Sequence, residues 1–176
     1  MIPRQPHPLS TGSNTRWLPP IHLSYKVNFD GTVFKELGVA GLGVVIRDFE
    51  GPVIGALAER IPLPDSATTV GALACRRAVL LAKEMNIFEA TFEGDAKMIT
   101  NALKDGGTNH PEFGHVIQDS LVLASAFRFC NFSHVKRLVN SVAYYLAKKA
   151  KSSDELQVWI ESIPDDIALL ISGDSL

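Results

Sequence analysis

With 176 residues, 46% of them apolar and 20% charged, the chain has the makeup of a globular domain, which excludes a disordered or fibrous protein. A net charge of −2 gives no overall pull on polyanions, so any contact with nucleic acid has to be local. No apolar run approaches the roughly 18 residues that cross a bilayer and the opening residues lack a signal-peptide core, so the expectation is an intracellular protein, nuclear or cytoplasmic, not secreted and without a membrane partner.

Residues 1–24 hold Pro3, Pro6, Pro8, Pro19 and Pro20 among Ser, Thr, Gly and Asn. Such a composition buries too little surface to repay its ordering entropy, which predicts a flexible tail or linker. Trp17 is the residue there that could dock on the domain. Polar and apolar residues then alternate from Lys26 to Phe29, as in a half-buried strand. Gly38 to Arg47 is a longer apolar run, Asp48-Phe49-Glu50-Gly51-Pro52 supplies a turn, and Val53 to Ala58 resumes the strand. Three strands on short turns form an antiparallel meander.

The period then changes. Val70, Leu73, Ala74, Ala78, Leu81, Ala82 and Met85 share one helical face, with Thr68 or Thr69 as candidate N-cap. A strand follows at Ala90 to Glu93, then a helix from near Asp95 with Ile99, Ala102 and Leu103 inward. Another amphipathic helix carries Phe113, Val116, Ile117, Leu121, Ala124 and Phe127, and the run from Phe127 to Val135 contains a fifth strand. A last helix starts at Asn140 and buries Ala143, Leu146, Ala147 and Ala150. The order predicts an α/β domain over 25–165 with a mixed five-stranded sheet flanked by helices, and a C-terminal tail over 166–176. Cys75 and Cys130 lie in apolar segments without metal-like spacing and are expected as reduced, buried thiols.

Charge is unevenly spread. Arg128, Lys136, Arg137, Lys148, Lys149 and Lys151 occupy a stretch without acids, and Asp154, Glu155, Glu161, Asp165, Asp166 and Asp174 follow without a base. The basic stretch could follow a phosphate backbone, or the acidic segment could fold back and neutralise it. Asp30 and Asp95, each beside a glycine at the end of an apolar run, stand where mixed sheets place their chemistry. Taken alone, an Asp before Gly is more often a turn residue, and an Asp opening a helix is more often its N-cap. His115 and His134 are more often packed or surface histidines than catalytic ones.

Several motifs occur together and in order: Lys26-Val27-Asn28-Phe29-Asp30-Gly31, Gly43-Val44-Val45-Ile46-Arg47-Asp48, Ala72-Leu73-Ala74-Cys75-Arg76-Arg77-Ala78, Glu93-Gly94-Asp95 and Phe132-Ser133-His134-Val135-Lys136-Arg137, with Asn140, Ala143, Leu146 and Ala147. Together they resemble the plant-type ribonuclease H-like domain found at the C-terminus of retrotransposon-derived reverse-transcriptase proteins. Trp17-Leu18-Pro19-Pro20 resembles the linker that precedes it.

The resemblance implies a monomeric ribonuclease H-like fold. It also implies hydrolysis of the RNA strand of an RNA–DNA hybrid with Mg²⁺, or Mn²⁺ in its place, held by four acidic groups. Asp30 and Asp95 match two of them as catalytic, metal-holding residues. The other two depart: the helix glutamate is Gly71 and the last acidic position is Tyr144, where many members of the group carry histidine. Glycine supplies no ligand, and in a helix it costs up to about 1 kcal/mol relative to alanine. Two carboxylates facing two divalent ions leave the second ion poorly held, which predicts impaired hydrolysis. Arg76, Lys136, Arg137, Asn140, Lys148 and Lys149 are the candidates for contacting the hybrid. The alternatives are a non-catalytic nucleic-acid-binding module and a retrotransposon-derived interaction domain. Any metal role requires Asp30 and Asp95 to lie side by side.

Overall fold

Alternation settles the first strand, β1 (Tyr25–Phe34), where Val27 and Phe29 are buried on one face and Lys26, Asn28 and Asp30 line the other. The computed structural model describes residues 17–18, 24–152 and 154–174. The tail expected over 1–24 lies outside the described residues except for positions 17, 18 and 24. Trp17 does dock: it is 5% exposed, with the Arg47 guanidinium 4.5 Å and the Lys26 ammonium 5.5 Å from its ring centre. Lys26 also donates to the Leu18 carbonyl at 2.6 Å.

A 3-10 turn (Lys35–Leu37) closes on Gly38 at φ 64° and leads into β2 (Val39–Arg47). The Asp48 carboxylate then accepts from the Glu50 and Gly51 amides at 2.8 and 3.0 Å, making the expected turn into β3 (Val53–Pro62). Helix α1 (Ala67–Glu84) is followed by β4 (Glu89–Gly94), α2 (Lys97–Asp105), α3 (Gly114–Ala124), β5 (Phe129–His134) and α4 (Ser141–Lys149). The N-cap of α1 is Ser66, not Thr68 or Thr69; the Ser66 and Thr68 hydroxyls donate to Glu112 at 2.8 and 3.2 Å.

Two elements lie beyond the helix expected to be last. Strand β6 (Leu156–Ile160) pairs antiparallel with β3, and α5 (Asp165–Asp174) follows. The sheet therefore has six strands, in the order β5-β4-β1-β2-β3-β6, and not five. The pairs β1–β4 and β4–β5 are parallel and the rest antiparallel. The segment expected as a tail from 166 is helical, and its Ile167, 2% exposed, joins Val45, Ala56, Val142 and Leu146 in a small core. The larger core lies on the opposite face, where α1, α2 and α3 cover Val27, Phe29 and Phe92.

Cys75 is buried and Cys130 half-buried; burial pushes both thiols up, Cys130 to about 12. Neither is poised as a thiolate. Among the described residues, no helix is long and apolar enough to cross a membrane.

Candidate active site

Strand register brings the two aspartates together. The parallel ladder between β1 and β4 runs from Tyr25↔Ala90 to Asn28↔Glu93. Two residues further along each chain come Asp30 and Asp95, on the face that Asn28 and Glu93 share. The carboxyl of Asp30 lies within hydrogen-bonding reach of Asp95. Only β4 ends there, however. β1 continues to Phe34 because β2 pairs along its full length, with Asp30 opposite Gly43, so Asp30 stands within a strand whose β4 side has fallen away.

Burial is the main reason the Asp30 carboxyl is pushed up to about 7, and the neighbouring Asp95 charge adds to it. The Gly31 amide donates to Asp30 at 2.9 Å and the Arg137 charge lies nearby; both act the other way. Arg137 reaches across from the loop before α4, its Nε 3.1 Å from an Asp95 oxygen, and that hydrogen bond raises the guanidinium pKa further. Two carboxylates in mutual contact with one guanidinium beside them form the electrostatic centre of the site.

The departures from the family pattern fall around this pair. A Cβ built on Gly71 comes 3.2 Å from Ile99 and 3.9 Å from Ala96, so position 71 lies beside the turn that Asp95 opens, and no carboxylate projects from it. Tyr144 is half-buried, with Arg137 5.3 Å and Lys148 5.4 Å from its ring centre. Glu93 is committed elsewhere: it pairs with Lys26 at 3.0 Å and accepts from Asn28 at 3.1 Å. Among the described residues, no group of three or more His, Cys, Asp or Glu side chains is placed to hold a metal ion.

The candidate hybrid contacts do not share one surface. Alternation along β2 turns Gly41, Gly43 and Val45 toward α4 and Leu42, Val44 and Ile46 toward α1, so the two helices cover opposite faces. Arg76, on α1, pairs with Asp119 at 3.0 Å, away from Lys136, Arg137, Lys148 and Lys149. Lys149 meets Asp166 at 3.4 Å, so the acidic segment does fold back onto the basic helix at this point. Lys136 and Lys148 are exposed. Asn140 is 1% exposed; its amide donates to the Phe29 carbonyl at 2.9 Å while its oxygen accepts from Asn28. It ties the start of α4 to β1. His134 is exposed, with a ring nitrogen 3.2 Å from the Asp95 carbonyl, and His115 lies at a surface cleft with Asp65 and Glu112.

Sequence reasoning missed the polar ladder Lys26–Glu93–Asn28–Asn140 that supports the pair. Its signal was present in the alternation of Lys26, Asn28 and Asp30 on one side of a strand otherwise apolar. Within the ladder, Asn28 Oδ1 is buried without a hydrogen-bond partner.

The solved structures that this fold is similar to include RNase H1 from the halophilic archaeon Halobacterium salinarum. It is 22% identical with a TM-score of 0.68, over 73% of this chain and 97% of that one. The N-terminal RNase H domain of Rv2228c from Mycobacterium tuberculosis is also 22% identical, at a TM-score of 0.66, over 73% and 94%. LC11-RNase H1, solved in complex with an RNA/DNA hybrid, is 19% identical at a TM-score of 0.65, over 72% and 96%. No curated protein matches the chain. The reverse transcriptase-like family matches residues 28–150, and the span includes both aspartates and all of α4. The chain thus belongs to the reverse transcriptase-like family, and it shares the fold of the RNase H structures.

Proposed function

We propose that this domain binds RNA–DNA hybrids on the face carrying Asp30, Asp95 and α4, and that its metal-dependent hydrolysis of the RNA strand is impaired. The observation that supports this reading is the Asp30–Asp95 contact at the rim of β4 with no third carboxylate beside it among the described residues. Hard oxygen donors in contact suit Mg²⁺ or Mn²⁺, which relieves the repulsion between them. Two carboxylates fit one such ion and do not fit two, so Asp30 and Asp95 would hold a single cation. A bound divalent ion supplies charge neutralisation at phosphoryl oxygens. The chain's own contribution is to fix the two carboxylates through strand register and to hold α4 against them through Asn140. The hybrid bound by LC11-RNase H1 on the same fold supports this choice of partner.

A non-catalytic binding module is the second reading, favoured by the guanidinium on Asp95 and by the residues at 71 and 144. Hybrid cleavage with Mg²⁺ or Mn²⁺ separates the two. Gly71→Glu with Tyr144→Asp is expected to raise cleavage by about two orders of magnitude or more, since each 1.36 kcal/mol of barrier is about tenfold. If wild type cuts and Asp30→Asn abolishes it, two acids suffice. If only the restored variant cuts, the native domain is a non-cleaving relative. Failure of wild type and restored variant to bind hybrid even at low salt would sink both readings.

A further inference from the structure

We propose that Arg137 serves as the built-in counter-cation of the aspartate pair and competes with a divalent ion for Asp95. This rests on the reading of the pair as a cation site. Three observations carry it. Arg137 Nε sits 3.1 Å from Asp95 Oδ2, on an oxygen that a bound ion would need. Tyr144, in place of the acid expected at that position, backs the guanidinium from 5.3 Å. An acid there would instead add to the negative charge at the pair. Lys26, on the same face of β1, is paired with Glu93 at 3.0 Å. The substitution that removes a ligand therefore also supports the cation that takes the ligand's place.

The Arg137 side chain is 70% exposed while that of Asp95 is 9% exposed. The arginine is thus an arm laid over a buried acid, and it can be displaced. A unit positive charge about 6 Å from a divalent ion in a water-like dielectric weakens its binding by about tenfold.

Mn²⁺ titration of the full chain without nucleic acid, followed by the electron paramagnetic resonance signal of free Mn²⁺, tests the inference. Arg137→Gln is expected to bind Mn²⁺ about tenfold more tightly than wild type. Arg137→Lys, which keeps the charge, is expected to stay near wild type, and Asp95→Asn added to Arg137→Gln is expected to remove the gain. If Arg137→Gln leaves the affinity unchanged while Asp95→Asn abolishes binding in wild type, the pair is a cation site but the competition is disproved. Arg137→Lys binding as tightly as Arg137→Gln also overturns it. If neither wild type nor Arg137→Gln binds Mn²⁺, the cation-site reading falls as well.

Discussion

Asp30 and Asp95 are like charges in contact, one of them in a strand interior, and the fold tolerates them at a measurable cost. Because burial and Asp95 raise the Asp30 carboxyl to about 7, the folded state binds more protons than the unfolded chain between about pH 4 and pH 7. Stability without metal is therefore expected to fall as pH rises through that window, with Arg137 offsetting part of the loss. Asp30→Asn removes the repulsion. In chelator at pH 8 it is expected to stabilise the protein by about 1–3 kcal/mol, and near pH 3, where Asp30 is mostly protonated in both states, to change little. Urea unfolding at the two pH values checks this, and equal effects at both would rule out the charge as the cause. The proximity of the pair was expected from the sequence only through the resemblance carried by the motifs around Asp30 and Asp95. The arginine on Asp95 was not, because an arginine in a basic stretch gives no sign of which acid, forty-odd residues away, it will meet.

Helix α4 owes its position to glycines in β2. A Cβ built on Gly43 would lie 2.5 Å from the Ala147 amide nitrogen and in direct collision with the Ala143 carbonyl, and one on Gly41 collides with the Ala147 carbonyl. Helix backbone lies directly on strand backbone, and since Asp30 is opposite Gly43, this contact sets how near Asn140, Tyr144 and Arg137 come to the pair. Gly43→Ala is expected to destabilise by about 1–3 kcal/mol or more, since the colliding atoms are backbone and cannot turn aside. Gly71→Ala meets the Ile99 side chain at 3.2 Å and the Ala96 side chain at 3.9 Å in an ordinary helical turn, so it is expected to be neutral or to stabilise by up to about 1 kcal/mol. Thermal or urea unfolding of both variants decides; equal losses would show that the β2–α4 contact has no special place. The elements themselves were legible where one face is buried, as in the 3.6-residue stripe of α1 and the alternation at the start of β1. Strand β6 was hidden because its alternating Leu156, Val158 and Ile160 stay partly exposed at a sheet edge and sit among acids that suggest a tail. Helix α5 buries Ile167 only because α4 and β2 already form a surface for it, which local pattern does not disclose.

Across the whole molecule, the net charge of −2 divides into cations with acid partners and cations without a described one. Arg76, Arg137 and Lys149 each stand on a carboxylate, whereas Lys136 and Lys148 are exposed on the α4 side. A hybrid bound on that face, as proposed, would therefore engage two or three phosphates, not a long basic track. For two or three phosphates, affinity is expected to drop about 10- to 40-fold between roughly 50 and 200 mM salt. Lys148→Glu is expected to weaken binding severalfold at low salt, because it places an acid beside Tyr144 on the binding face. Arg76→Glu makes the same change in net charge on the opposite face and is expected to have little effect. Fluorescence anisotropy with a labelled hybrid gives both readings. Equal losses from the two reversals would mean that attraction depends on total charge alone, and the placement of the hybrid against α4 would then have no support.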